Sequence, residues 1–272
     1  MSQSPITLKL DLNKKPLEKV KHKIVVASGK GGVGKSTTAV NLATALAMQG
    51  LKVGIMDIDI HGPNVPLMLG LEGEHPLAEE NKIYPVEGPL GIKVMSMAFL
   101  LKTSDTPIIW RGPLKMKAIE QFIKDVAWGE LDYLVIDSPP GTGDELLSIL
   151  QQIPDVDGVV IVTTPQDVSV LDSSKAVNMA KQMNKKVLGI IENMSGFICP
   201  HCGKITYIFG RGGGANAAKT LGVPFLGEVP LEVSVRELSD KGEPFIAVNP
   251  DSASAKAFQE IVTKIRNEVE KE

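Results

Sequence analysis

At 272 residues with a net charge of -3, the chain is long enough to bury one sizeable core and lacks the basic excess that broad nucleic-acid binding requires. Hydrophobic residues make up 43% and charged residues 22%, the balance of a soluble globular protein, and the 4% aromatic content leaves little for base-stacking platforms. No apolar run approaches the ~20 residues that span a bilayer, and Met1 to Lys23 has no apolar centre of a secretory signal, so a cytoplasmic protein with neither membrane nor nucleic acid as partner is expected.

Residues 1–22, with Pro5, Pro16 and several lysines, read as an N-terminal tail or an added edge element, ahead of one domain over 23–272. Short apolar runs then alternate with helical patterns. Strands are predicted at Lys23–Ser28, Lys52–Asp57, Ile92–Ser96, Tyr133–Ser138, Gly158–Thr164 and Val187–Asn193, with a seventh at Phe225–Val229. Helices are predicted at Lys35–Gln49, Leu114–Val126, Glu145–Gln152, Val170–Met183, Ala215–Leu221 and Ala253–Glu270. The last places Phe258, Ile261, Val262, Ile265 and Val269 on one face, as a helix packed on a sheet does. Pro85–Gly91 and Gly210–Gly214 read as loops. Near-continuous apolar strands alternating with helices predict an α/β three-layer sandwich with a mostly parallel central sheet.

Gly29 to Ser36 (GKGGVGKS) matches the phosphate-loop pattern G-x-x-x-x-G-K-[ST], between a predicted strand and a predicted helix as that motif requires. Glycines let successive backbone N–H groups turn inward around phosphate oxygens, and the helix N-terminus adds its positive dipole end. Gly31, Gly32, Val33 and Gly34 form this cradle. Lys35 is expected on the outer phosphates, Ser36 on Mg²⁺ and Thr37 near the inner phosphate, so ATP with Mg²⁺ is the predicted ligand. Lys30, second in the loop, is placed to project toward the nucleotide of a facing copy, as an arginine finger does in trans. Two acidic segments end predicted strands, where open α/β sheets bind ligands. Asp137 suits the Mg²⁺ shell and Asp57 its support, Asp59 is a candidate for orienting the attacking water, and Gly141 can offer an N–H to the terminal phosphate.

The loop GKGGVGKST resembles the deviant Walker A motif of the SIMIBI class of P-loop ATPases, which includes the nitrogenase iron protein, MinD and ParA. Three further stretches, DIDIHGPNVP at 57–66, DSPPGTGDE at 137–145 and ENMSGFICPHCG at 192–203, resemble the Mrp/ApbC family of iron–sulfur cluster carriers, related to the eukaryotic Nbp-type scaffolds. The resemblance runs from about Lys23 to the C-terminal helix. It implies an ATP-dependent homodimer with Lys30 acting across the interface, apo iron–sulfur proteins as cluster acceptors, and adenine held by Asn193 and the backbone near Pro230. An Asn amide, which both donates and accepts, suits a purine edge. Residues 1–22 carry neither the extra N-terminal domain nor the N-terminal cysteine cluster of some relatives.

Cys199-Pro200-His201-Cys202 is a C-x-x-C motif after the sixth predicted strand. A [4Fe–4S] cluster takes four thiolates, one chain supplies two, and a two-fold dimer with the motif on its axis supplies four. The resemblance points to the same bridging cluster. Four thiolates would equally hold structural zinc. Dithiol redox chemistry is the third use of the motif, although it lies far from the first strand–helix unit. A MinD/ParA-type spatial-organisation ATPase shares the phosphate loop but needs no C-x-x-C.

Overall fold

The computed structural model describes residues 17–60, 62–79, 82–100 and 112–271. In chain order the elements are β1 (Val20–Ser28), α1 (Lys35–Met48), β2 (Val53–Asp57), α2 (Val65–Met68), β3 (Leu77–Glu79), β4 (Lys82–Tyr84), β5 (Val86–Glu87), β6 (Lys93–Ser96) and α3 (Gly112–Lys124). They continue with β7 (Leu131–Asp137), α4 (Asp144–Gln152), β8 (Gly158–Thr163), α5 (Asp167–Gln182), β9 (Val187–Ile198) and β10 (Ile205–Thr206). The C-terminal part adds α6 (Gly213–Leu221), β11 (Phe225–Leu231), α7 (Val233–Asp240), α8 (Phe245–Val248) and α9 (Ala253–Val269).

Nine strands form one sheet in the order β10-β9-β8-β1-β7-β2-β6-β5, with β11 also paired to β9. Every central pairing is parallel, and only the two-residue strands β5 and β10 run antiparallel. The strands are apolar on both faces because both are covered: Val25, Val26, Ile55, Ile136 and Ile161 are fully buried. Right-handed crossovers fix which helix covers which face. The β1–α1–β2 connection moves one way along the sheet and β8–α5–β9 the other, so α1 and α5 lie on opposite faces. Helices α8 and α9 pack beside α1, and α6 beside α5. β1 and β8 are adjacent strands whose connections leave in opposite directions, the switch point where open α/β sheets bind ligands.

Several boundaries differ from the sequence-based expectation for local reasons. β1 starts at Val20, before the predicted boundary at residue 23, because Val20 pairs with Leu131 of β7 and Leu17 is already buried. The rest of the predicted tail, residues 1–16, lies outside the described residues. The sixth predicted strand runs on to Ile198, since Phe197 and Ile198 gain a partner in β10. Pro85–Gly91 is not all loop: Val86 and Glu87 pair with β6, and a 3-10 turn follows at Pro89–Gly91. Gly210–Gly214 is only partly loop, because α6 begins at Gly213. The β3–β4 hairpin and the four-residue helices α2 and α8 are too brief to show a period in the sequence, whereas the eight-residue α7 is not among the predicted helices.

Candidate nucleotide site and cysteine loop

β1 ends at Ser28, and the chain enters α1 through the glycine-rich turn. Gly32 and Gly34 hold φ of 77° and 83°, the left-handed region that glycine adopts without strain. Gly29 is fixed by a close approach, since a Cβ there would lie 2.1 Å from the backbone carbon of Asp172 in α5. Gly34 starts α1 without a side-chain cap. Beside it opens a cleft of about 320 Å³ whose lining includes Lys30, Lys35, Ser36, Thr37, Asp59 and Pro140. An uncapped helix start on such a cleft is an anion site.

Lys35 is the electrostatic centre and is buried. Its Nζ lies 2.6 Å from Asp137 Oδ1, 3.5 Å from Asp59 Oδ2 and 3.3 Å from Ser36 Oγ. Asp57 is the register partner of Asp137 across β2 and β7. The Ser96 hydroxyl donates to Asp57 Oδ2 at 2.7 Å, and the Asp59 N–H donates to Asp57 Oδ1 at 3.2 Å. One ammonium therefore faces three buried carboxyl groups. Burial, and then the neighbouring Asp137 charge, pushes the Asp57 carboxyl well above the usual carboxylate range. Burial also raises Asp137, against the pull of Lys35. For Lys35, burial works to lower the pKa, but Asp137 and Asp59 outweigh it and hold the ammonium above its ordinary value.

Asp137 Oδ2 is buried and has no hydrogen-bond partner among the described residues. Such an oxygen normally has one. Together with the Ser36 hydroxyl, which Lys35 Nζ contacts, it makes a set of hard oxygen donors that fits Mg²⁺.

The other predicted site residues are placed as follows. Gly31, Gly32 and Gly34 line the same cleft. Val33 is buried, and its carbonyl accepts a hydrogen bond from Asn193 Nδ2 at 2.9 Å. Asn193 therefore touches the loop backbone itself. Pro230 lies on β11 away from the phosphate cleft, and its carbonyl accepts from Ser254 Oγ at 3.1 Å. The Gly141 N–H donates to the Ser28 carbonyl at 2.9 Å and so faces the stem of the loop. Lys30 is half-buried on the cleft, with Ser28 Oγ donating to its carbonyl, and makes no ion pair among the described residues.

Cys199 and Cys202 occupy the tight turn of the β9–β10 hairpin. The Cys199 N–H donates to the Lys204 carbonyl at 3.0 Å and the Gly203 N–H to the Cys199 carbonyl at 2.9 Å, closing the turn. The backbone N–H groups of His201 and then Cys202 point at the Cys199 sulfur and, with the Cys202 thiol, hold it below the ordinary thiol value. Both thiols are free, Cys199 half-buried and Cys202 exposed. Among the described residues, no group of three or more His, Cys, Asp or Glu side chains converges as a metal site.

Sequence reasoning missed Glu192. It is fully buried at the level of the predicted strand end and accepts from Ser195 Oγ at 2.7 Å, Gly212 N–H at 2.9 Å and Gly214 N–H at 2.6 Å. A carboxylate ending an apolar run, twenty residues before a glycine-rich stretch, was the available signal.

A family model described as ParA, NUBPL iron-transfer P-loop NTPase, matches residues 19–266. An iron–sulfur cluster carrier protein of Methanocaldococcus jannaschii is 58% identical, over 93% of this chain and 87% of that one. The iron–sulfur cluster transfer protein NUBPL of Dictyostelium discoideum is 47% identical, over 95% of this chain and 80% of that one. Among solved structures, an Archaeoglobus fulgidus nucleotide-binding protein in complex with ADP superposes with a TM-score of 0.75 at 44% identity, covering 85% of this chain and 90% of that one. The Pyrococcus furiosus cell-division ATPase MinD gives 0.66 at 25% identity, covering 90% and 98%. A phosphate loop at the switch point, a buried lysine–carboxylate cluster behind it and these likenesses agree: the chain belongs to the NUBPL iron-transfer family of P-loop NTPases.

Proposed function

We propose that this protein is an ATPase that carries iron–sulfur clusters, holding a [4Fe–4S] cluster as cargo between two copies of the chain and passing it to apo-proteins. The observation that carries this reading is the cysteine turn. It presents two thiols, one with its thiolate favoured by backbone N–H groups, and no third protein ligand converges among the described residues. A four-thiolate cluster then needs two chains. Exposed Ile205, Tyr207 and Ile208 beside the turn give a second copy apolar surface to cover.

The nucleotide site works through Lys35. In the structure it is paired with Asp137. Phosphate oxygens compete for the ammonium, and as Lys35 turns to them Asp137 and Ser36 become free to hold Mg²⁺, supported by Asp57. When bound, that ion neutralises phosphate charge. Asp59 orients the water that attacks the terminal phosphorus of ATP, giving ADP and inorganic phosphate. Lys30 reaches the partner's nucleotide, so hydrolysis is slow until two chains meet. Gly141 exchanges the Ser28 carbonyl for the terminal phosphate, and Asn193 with the backbone near Pro230 holds adenine.

The test is to replace both cysteines by Ala and reconstitute anaerobically with iron and sulfide. The double variant should lose the cluster absorbance and keep wild-type ATP affinity. A variant that still holds the cluster refutes the assignment. Zinc rather than iron at the thiols of anaerobically purified wild type would favour a zinc-bridged dimeric NTPase.

A further inference from the structure

β9 touches both halves of the site. Asn193 bonds the phosphate loop at Val33, and Cys199 follows the strand directly. Between them the strand is not regular. Asn193 is paired with Val229 and Phe197 with Leu231, so β9 spends four steps where β11 spends two. This is a bulge over Met194, Ser195 and Gly196. Met194 and Gly196 both lie in the left-handed region, with φ of 58° and 86°. That is strained for methionine. Gly196 has no alternative, since a Cβ there would come within 2.7 Å of Ile205.

A bulge of this kind persists when its surroundings over-determine it. Ser195 is the residue so held. Its hydroxyl donates to Glu192 at 2.7 Å and lies 3.3 Å from Glu228 Oε2 on β11. Glu192 anchors the N-terminus of α6 through two backbone N–H groups. Arg211 donates to Glu228 at 3.3 Å and stacks on Tyr207, just beyond β10. One buried hydroxyl thus joins the bulge to α6, β11 and the far arm of the cysteine hairpin.

We infer that Ser195 and Glu192 clamp the β9 bulge and are positioning residues for the cysteine turn, coupling its disposition to the phosphate loop. Neither residue lines the phosphate cleft or belongs to the cysteine turn. With the clamp intact, a shift of the Val33–Asn193 contact on nucleotide binding moves the turn as a unit. Without it the bulge yields and the shift is absorbed locally.

The inference rests on the proposed ATP-dependent carriage, and the experiment separates the two. Full-length wild type, Ser195→Ala, Ser195→Thr and Glu192→Gln are reconstituted anaerobically, and iron release to a chelator is timed with and without MgATP. ATP affinity and thermal midpoint are measured in parallel. Wild type should release iron at different rates in the two conditions. Ser195→Ala should load cluster and bind ATP as wild type does, but its rate ratio should fall to about one, the value for equal affinity in both states. Ser195→Thr, which keeps the hydroxyl, should restore the ratio. Glu192→Gln, isosteric but placing an NH₂ group against the α6 amides, should lower both the ratio and the thermal midpoint. A Ser195→Ala protein that keeps the wild-type ratio overturns the clamp and leaves the carrier reading intact. A wild-type ratio of about one overturns the ATP coupling on which both rest.

Discussion

Replacing Lys35 by Met removes the cation paired with Asp137 and Asp59 and keeps the approximate length and volume of the side chain. In the structure Lys35 Nζ is bonded to Asp137 at 2.6 Å, with Asp59 at 3.5 Å and Asp57 behind. Breaking a buried pair from one side typically destabilises by ~3–5 kcal/mol because the remaining charge is left uncompensated. With ~2.1 cal/mol/K of unfolding entropy per residue over 272 residues, that is a fall in thermal midpoint of ~5–9 °C. The loss depends on pH with a definite sign. Asp57 and Asp137 are held above their unfolded values, so the folded state binds more protons and stability declines as pH rises above the unfolded carboxylate range. Without Lys35 the largest influence lowering Asp137 is gone and only the Ser36 hydroxyl still lowers it, so the decline deepens. Scanning calorimetry of nucleotide-free protein should therefore find the largest deficit near pH ~8 and a smaller one near pH ~5. Adding Asp137→Asn to Lys35→Met should recover most of it. A deficit independent of pH, or a double variant no better than the single, would refute the electrostatic account of the cluster.

Gly34→Ala puts a Cβ 2.1 Å from Asn193 Nδ2 at a φ of 83°, so it should break the Asn193–Val33 contact, lower stability by ~1–3 kcal/mol and weaken ATP binding in calorimetric titration. Cys199 should be alkylated by iodoacetamide with a pH midpoint below that of the same cysteine in unfolded protein, measured by peptide mass spectrometry; equal midpoints would contradict the N–H-stabilised thiolate. Tyr133→Phe removes the hydroxyl that donates to Glu270 at 2.6 Å and should lower stability by ~1 kcal/mol, since the carboxylate is partly exposed, with no effect on ATP affinity.

Much of the molecule was legible because its signals are local. The apolar runs around Val25, Ile55, Ile136 and Ile161 announce strands buried on both faces, and alternation with helices leaves a parallel sheet as the answer. The phosphate loop was legible because its glycines, Lys35 and Ser36 sit at fixed spacing for one purpose. What escaped depends on partners distant in sequence. Val20 becomes strand only by pairing with Leu131, and Ile198 only by pairing with Ile205. Glu192 looked like an ordinary strand-end carboxylate, and its role appears only when α6 brings Gly212 and Gly214 onto it. The Lys35–Asp137 pair joins residues far apart in the chain, so motif spacing names both residues but not the bond between them. MinD shares this fold, so the fold alone does not separate a cluster carrier from a cell-division ATPase.

The most direct test of the account is native mass spectrometry of anaerobically reconstituted protein beside the Cys199→Ala/Cys202→Ala variant. The account predicts a dimer whose excess mass equals one [4Fe–4S] unit for two chains, and a variant without that mass that still binds ATP. Iron and sulfide bound to a single chain, or retained by the variant, would contradict it.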